Sequence, residues 1–297
     1  MIAEAKSTVP RVSVITIFYN GERFLAEAIE SVLAQSYQEF ELILVDDGSS
    51  DGSTRIAKAF ADRHEQVRYL EHPRHRNRGM SASRNLGIGS ARGDLIAFIA
   101  ADDRWRPGKQ EEQVKLLDRF PEIDLVCGSA NYWSSWEGGQ DRIVRTGHVQ
   151  DRPVPPGETT LAVYPLGKAN APCPSDLMVR RAAALGVGMF EESFTGPLQM
   201  YEDQAFLAKI YLQSSVYFAS TTWPDYRQHA GSCVAQVSNS GRYDEVRLHF
   251  LDWFDGYLER HPNMRAPAID RAVQNARRGR GFSALRRVLR PLARVLR

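Results

Sequence analysis

The chain reads as an α/β fold: a doubly wound, mostly parallel sheet flanked by helices, with a helical C-terminal extension. Three observations carry that expectation. Between residues 12 and 127, short runs that are apolar on both faces alternate with stretches of helical periodicity, the rhythm of a sheet covered on both sides. The runs are closed by turn or acidic residues rather than by further apolar ones. Beyond residue 128 the rhythm breaks, and a long helical pattern and a basic end follow.

Val12 to Phe18 is a β-branched, apolar run and predicts a buried strand. Asn20-Gly21 marks a turn, and Leu25, Ala28, Ile29, Val32 and Leu33 then recur at helical spacing. Leu42 to Val45 predicts the second strand, stopped by Asp46-Asp47-Gly48-Ser49-Ser50-Asp51-Gly52. Ser53 is suited to cap a helix running to about His64. Val67 to Leu70 predicts a third strand, Ser83 to Ser90 a helix, and Leu95 to Ala100 a fourth strand ending at Asp102-Asp103. Pro107 opens a helix through Arg119, and Ile123 to Cys127 is the fifth strand. Residues 128–170 give no secure elements. Glu202–Leu212 and Tyr243–Glu259 predict helices, with a strand around Val216–Ala219 between them.

The composition is that of a globular chain with a substantial core: 297 residues, 43% hydrophobic and 25% charged. Three distant cysteines, Cys127, Cys173 and Cys233, support neither a disulfide framework nor a structural zinc site, and fit a reducing compartment. The first residues lack the apolar stretch of a secretion signal, and the longest apolar run, Leu95 to Ala101, is too short to span a bilayer. A cytoplasmic protein is expected, with peripheral attachment to the cytoplasmic face of a membrane as an option. Residues 271–297 hold nine arginines and no acid, whereas the first 270 residues hold 29 Lys and Arg against 36 Asp and Glu.

In an open α/β sheet, ligands bind beyond the carboxyl ends of the strands. Two carboxylate pairs fall there, Asp46-Asp47 and Asp102-Asp103. Adjacent like charges at the rim of a core call for a cation or a hydrogen-bonding ligand; lone loop acids that make turns are the commoner alternative. No glycine-rich dinucleotide or phosphate loop accompanies them. Hard carboxylates with few other ligands suit Mg²⁺ or Mn²⁺ held against substrate phosphates, the need of a diphosphate leaving group.

Several segments are recognisable together. Val12 to Asn20, Val45 to Gly52, Ser81 to Gly87, Ala101-Asp102-Asp103 with Pro107, Tyr201-Glu202-Asp203-Gln204 and Tyr226 to Ser232 resemble, in that order, the motifs of the inverting family 2 glycosyltransferases with the GT-A fold. The resemblance spans residues 12–232. It implies an N-terminal tail over 1–10, a catalytic domain over 11–232 and a helical extension over 233–297. It implies an enzyme that moves a sugar from a nucleotide-diphosphate sugar, UDP-linked by first expectation, onto a hydroxyl of a glycan or lipid-linked acceptor in cell-envelope or surface polysaccharide synthesis, with Mn²⁺ or Mg²⁺ as cofactor. Asp203 would be the catalytic base. Phe18, Asn20, Asp46, Asp47, Arg84, Asp102, Arg227 and His229 would line the donor site, with Asp47 on the base. Asp102 or Asp103, with His229, would hold the metal. Family members often carry an acid where Ala100 stands here, and a proline where Ile17 stands.

Other residues have structural explanations of equal weight. Glu202 and Asp203 open a helix, where acids favour the dipole without catalysis. Trp133 and Trp136 suit a sugar face or plain packing. His72, Arg74, His75, Arg76 and Arg78 form a basic loop that attracts an anionic donor or is simply solvated. Val246, Phe250, Trp253, Phe254 and Tyr257 form a core stripe. Residues 277–297 read as a basic amphipathic helix interrupted near Pro291 and suited to an anionic membrane surface. Two competing functions remain: a sugar nucleotidyltransferase, whose arginine-containing glycine loop is missing here, and a non-enzymatic membrane or nucleic-acid binder driven by the tail. No specific nucleic acid is expected.

Overall fold

The computed structural model describes residues 9–278; most of the basic segment 277–297, like most of the N-terminal tail, lies outside the described residues. In chain order the elements are β1 (Val12–Phe18), α1 (Leu25–Leu33), β2 (Phe40–Asp46), α2 (Ser53–Arg63), β3 (Val67–Glu71), α3 (Met80–Ser90), β4 (Leu95–Phe98), β5 (Arg104–Trp105), α4 (Lys109–Arg119) and β6 (Ile123–Trp133). Then follow β7 (Arg142–Val144), β8 (Pro153–Val154), α5 (Glu158–Ala162), β9 (Met178–Arg180), α6 (Arg181–Gly186), α7 (Glu202–Gln213), β10 (Ser215–Arg227), α8 (Cys233–Asn239), α9 (Tyr243–Arg260) and α10 (Pro267–Arg277).

One sheet runs β3-β2-β1-β4-β9-β6-β10-β5. Its longer strands pair in parallel, β1 with β2 and β4, β2 with β3, and β6 with β10. The antiparallel pairings all involve short strands: β9 between β4 and β6, and β5, β7 and β8 at the margins. Alternation along each strand feeds two cores. Val14, Leu42 and Leu95 pack with Ile29 and Leu117 on one face, while Ile15, Ile43 and Phe98 pack with Ile88 and Phe206 on the other. This double burial is why the strands read as apolar on both faces.

A third core joins α7 to the segment after residue 232. Ala205 and Ala208 of α7 pack with Val246, Phe250 and Phe254 of α9 and Ile269 of α10, each large side chain adding about 1.5–3 kcal/mol of apolar burial. The stripe expected on α9 is therefore core. Helix α7 is buried on nearly every side, so its first turn, Glu202-Asp203, is held from two directions.

Several boundaries differ from expectation. Ser53 is the first helical residue and not the cap; Gly52 precedes it, and the Asp51 carboxylate accepts the Ser53 N–H at 2.9 Å. Helix α3 begins at Met80 and β4 ends at Phe98. Pro107 does not open α4, because Gly108 in a left-handed conformation (φ 85°) stands between them. Strands β6 and β10 run six and eight residues past the expected ends, to Trp133 and Arg227. Strand β10 crosses two register shifts between Phe218 and Asp225, and Thr221-Thr222 and Pro224 hide it in the sequence.

Candidate functional site

The site forms at the carboxyl ends of β1, β2, β6 and β10 and at the first turn of α7, where three groups of side chains meet the surface. The first is the acidic turn after β2. Asp46 is fully buried; it accepts the Ser49 N–H at 2.8 Å and the hydroxyls of Thr54 and Tyr69 at 2.5 and 3.2 Å. Asp47 is buried too, and its oxygens accept the N–H groups of Arg78 and Gly79 at 2.7 and 3.0 Å. Gly48 turns the chain at φ 84°, and a Cβ there would lie 2.7 Å from the Asn77 nitrogen. Asn20, exposed and at φ 51°, clasps the same turn by accepting the Ser50 N–H at 2.7 Å. Phe18 is buried and takes part only through its carbonyl, bonded to the Asp47 N–H.

In this conformation Asp47, expected on the nucleobase, instead ties the β3–α3 loop to β2. Phe18 and Asp46 likewise shape the pocket from behind. Tyr19, which sequence reasoning passed over, is the large side chain facing solvent beside them, 55% exposed. Its only signal was an aromatic residue directly after a buried strand.

The second group surrounds Asp102. His229 Nε2 lies 2.8 Å from Asp102 Oδ2, and both side chains reach solvent, 15% and 33% exposed. Asp103 turns inward. It is 1% exposed and is bonded to the Ser175 hydroxyl and, at 2.8 Å, to the Arg227 N–H. Burial, then the neighbouring Asp102, pushes its carboxyl well above the usual range. Arg227 also departs from expectation. Its guanidinium is buried, donates to the Asp102 carbonyl at 2.6 Å, pairs with Glu27, and lies among the rings of Phe24, Trp133 and Trp136 at 4.2 to 4.8 Å. Trp136 Nε1 closes the stack by donating to the Gln228 carbonyl at 3.1 Å. The two tryptophans thus hold a guanidinium and the His229 segment rather than an open sugar face.

The third group is at α7. Arg84 of α3 pairs with Glu202 in a buried bridge and lies 5.2 Å from the Phe190 ring. Burial raises Glu202 to about 8, opposed by Arg84 and reinforced by Asp203. Burial raises Asp203 to about 6, again opposed by Arg84. Asp203 remains partly exposed. Two adjacent carboxyls titrating apart, one paired and buried and one reaching solvent near neutrality, provide a proton acceptor poised for work at pH 7.

The donor set at Asp102 fits a divalent cation, whereas Asp103 does not. A partly exposed carboxylate and an imidazole already in contact offer one oxygen and one nitrogen, a combination that suits Mn²⁺ more than Mg²⁺. Among the described residues no cluster of three or more His, Cys, Asp or Glu side chains could hold a metal, so the remaining positions would fall to the donor's phosphates and to water.

The model of the family called glycosyl transferase family 2 matches residues 13–184, more than half of the chain. The chain belongs to this family. The putative glycosyltransferase EpsE of Bacillus subtilis is 42% identical over 118 residues, 39% of this chain and 42% of that protein. The chain spans about half the length of the first curated relatives it matches. Among solved structures, S. aureus TarS 1–349 in complex with UDP-GlcNAc superposes with a TM-score of 0.62 at 18% identity, covering 81% of this chain and 65% of that one. The mannosyltransferase PcManGT from Pyrobaculum calidifontis, in complex with GDP-Man and Mn²⁺, superposes at 0.59 with 14% identity over 98% and 82%. At those identities the likeness is one of fold. The sheet of this family 2 chain is of the GT-A type, and no helix among the described residues is long and apolar enough to cross a membrane.

Proposed function

We propose that this family 2 chain is a metal-dependent, inverting glycosyltransferase that moves a sugar from a nucleotide-diphosphate donor to a hydroxyl of a cell-envelope glycan or lipid-linked acceptor. The observation that carries the reading is the divided pair at α7, where Asp203 titrates near 6 beside the bridge of Glu202 and Arg84. UDP is the preferred nucleotide, because S. aureus TarS binds UDP and UDP-GlcNAc; PcManGT holds GDP-Man. The catalytic unit would comprise residues 11–232, with 233–297 as its extension.

In the reaction the acceptor oxygen attacks the anomeric carbon from the face opposite the diphosphate. Asp203 takes the hydroxyl proton as the new carbon–oxygen bond forms. The bond from the anomeric carbon to the β-phosphate oxygen breaks, and the nucleoside diphosphate leaves with its electron pair. A cation held by Asp102 and His229 would supply neutralising charge at that diphosphate. Burial raises the basicity of Asp203, and Gln204 holds its carboxylate through its backbone N–H at 2.7 Å. Tyr19 and Asn20 lie where the nucleoside would rest, on the turn braced by Asp46 and Asp47. Arg227 serves by fixing the backbone around Asp102 and the His229 segment.

A donor screen tests the reading. Nucleoside diphosphate release should require Mn²⁺ or Mg²⁺ and one nucleotide-sugar, and Asp203→Asn should cut turnover by about 10²–10⁴ with donor affinity intact. Release of pyrophosphate instead would make the chain a nucleotidyltransferase. Full activity in Asp203→Asn would refute the assignment of the base.

A further inference from the structure

The loop between β3 and α3 carries a group of cations that the proposed chemistry leaves unused. Arg74, Arg76 and Arg78 face an open cleft of about 640 Å³, walled on its other side by Asn85 of α3 and by Glu192. All three arginines are exposed, and none has a side-chain hydrogen bond or ion pair among the described residues. Three like charges within five residues repel one another unless an anion lies between them.

The loop that presents them is braced. Asp47 accepts the N–H groups of Arg78 and Gly79. His75 bonds the Ser49 carbonyl at 2.8 Å through Nε2 and the Glu71 carboxylate at 3.0 Å through Nδ1. His72 is buried and lies 2.9 Å from the Ser83 hydroxyl. Arg74 and His75 are both held in left-handed conformations, φ 63° and 52°, which non-glycine residues adopt rarely and at a cost. A loop anchored at three points and strained at two holds its guanidinium groups in place before any ligand arrives. Asn85 is fixed as well, donating to the Phe190 carbonyl and to Glu192, each at 3.0 Å.

Position narrows the ligand. The cleft adjoins the first turns of α3, and Arg84, which reaches Glu202 beside Asp203, precedes Asn85 on the same helix. Arg84 and Asn85 are successive residues of α3 and project about 100° apart around its axis, so the cleft and the Asp203 group occupy different faces of one helix. Phe190 and Glu192 flank Glu191, which pairs with Lys209 of α7, the helix whose first turn holds Asp203.

We propose that this cleft is an acceptor subsite for an anionic group, a phosphate or a sugar carboxylate, carried on the acceptor apart from the hydroxyl that reacts at Asp203. The assignment rests on the transferase reading above. Bidentate guanidinium contacts suit either oxyanion, and Glu192 provides one repulsive wall that orients it.

The test uses the full chain, residue-resolved amide spectra and inorganic phosphate as the probe, so that arginines of the C-terminal segment are read separately. Phosphate should shift the amides of residues 74–79 in wild type, and R74A/R76A should weaken that response by about fivefold or more. UDP affinity with Mn²⁺ should be equal in the two proteins. Glucuronate titrated in place of phosphate separates a carboxylate acceptor from a phosphorylated one, and the stronger response names the class. Phosphate shifts absent from residues 74–79 would overturn the site even where donor turnover is intact. Loss of UDP affinity in R74A/R76A would instead assign the cleft to the donor. Failure of the wild type to bind any nucleotide-sugar would remove the transferase reading, and the acceptor assignment with it.

Discussion

Replacing Arg84 by methionine removes one charge that acts on both acidic side chains at α7. The substitution keeps an unbranched stem against Phe190 and deletes the partner of Glu202. Arg84 opposes the burial that lifts Asp203 to about 6, so its loss moves that group further up. A nearby opposite charge is worth about 1–3 pKa units. Glu202, already at about 8, is mostly neutral at pH 7 with or without its partner and adds little to that change. For the partly exposed Asp203 the rise is about one to two units. At pH 7 the deprotonated fraction of Asp203 falls from about nine-tenths to between about one-half and one-tenth, a loss of roughly twofold to tenfold in turnover. A raised pKa means that the base is fully available only at higher pH, so the loss should disappear by about pH 9. The assay is nucleoside diphosphate release from pH 5 to 9, with or without acceptor, alongside melting temperature at each pH. The acid limb should lie near 6 in wild type and move up in Arg84→Met. A uniform drop across the whole range, with no displacement of the limb, would refute the argument and leave Arg84 a structural residue only.

Three further outcomes follow from the same geometry. Asp102→Asn and His229→Ala should each raise the Mn²⁺ concentration needed for half-maximal activity by about tenfold or more, and chelation should silence the wild type; Asp103→Asn, at a buried carboxyl, should lower the melting temperature and leave the metal requirement as it is. Trp136→Ala removes a guanidinium stack and the bond to the Gln228 carbonyl; at about 0.5–2 kcal/mol for the stack, donor KM should rise roughly twofold to thirtyfold, and an unchanged KM would show that the His229 segment holds without it. Gly48→Ala adds a methyl at positive φ against the Asn77 nitrogen, and urea unfolding should show a loss of about 1–3 kcal/mol.

The first half of the fold was legible because its signals are local. Strands buried on both faces and helices with one apolar stripe declare themselves within a dozen residues, and β1 through α4 lay where periodicity put them to within a few residues, apart from the two-residue β5, which had no signal. The second half depends on partners distant in sequence. The outer part of β6 becomes strand because β10 pairs with it across two register shifts, and nothing near Asn131 or Asp225 announces that pairing. Asp225 shows the consequence. Burial alone would raise its carboxyl, but Asn131, Arg104 and Arg106 hold it below the usual range, a network drawn from three separate segments.

The same distinction separates the site residues by role. Spacing placed acids at strand ends and at the start of α7, and there the structure has them. Spacing has no access to which carboxyl oxygen faces inward. Of the pair Asp102-Asp103, one is claimed from behind by Ser175 and the backbone of Arg227 and the other is left to His229; Ser175 lies 72 residues away. Of the pair Asp46-Asp47, both are drawn into the turn, by Thr54 and by Arg78-Gly79. An acidic doublet at a strand end therefore serves two ends at once: one or both carboxylates build the loop, and only what that loop leaves unpaired is free to meet a ligand. On that criterion the proposed reaction falls to Asp102, His229 and Asp203, the carboxylates and imidazole left facing solvent, while Asp46, Asp47, Asp103 and Arg227 are spent on the loops around them.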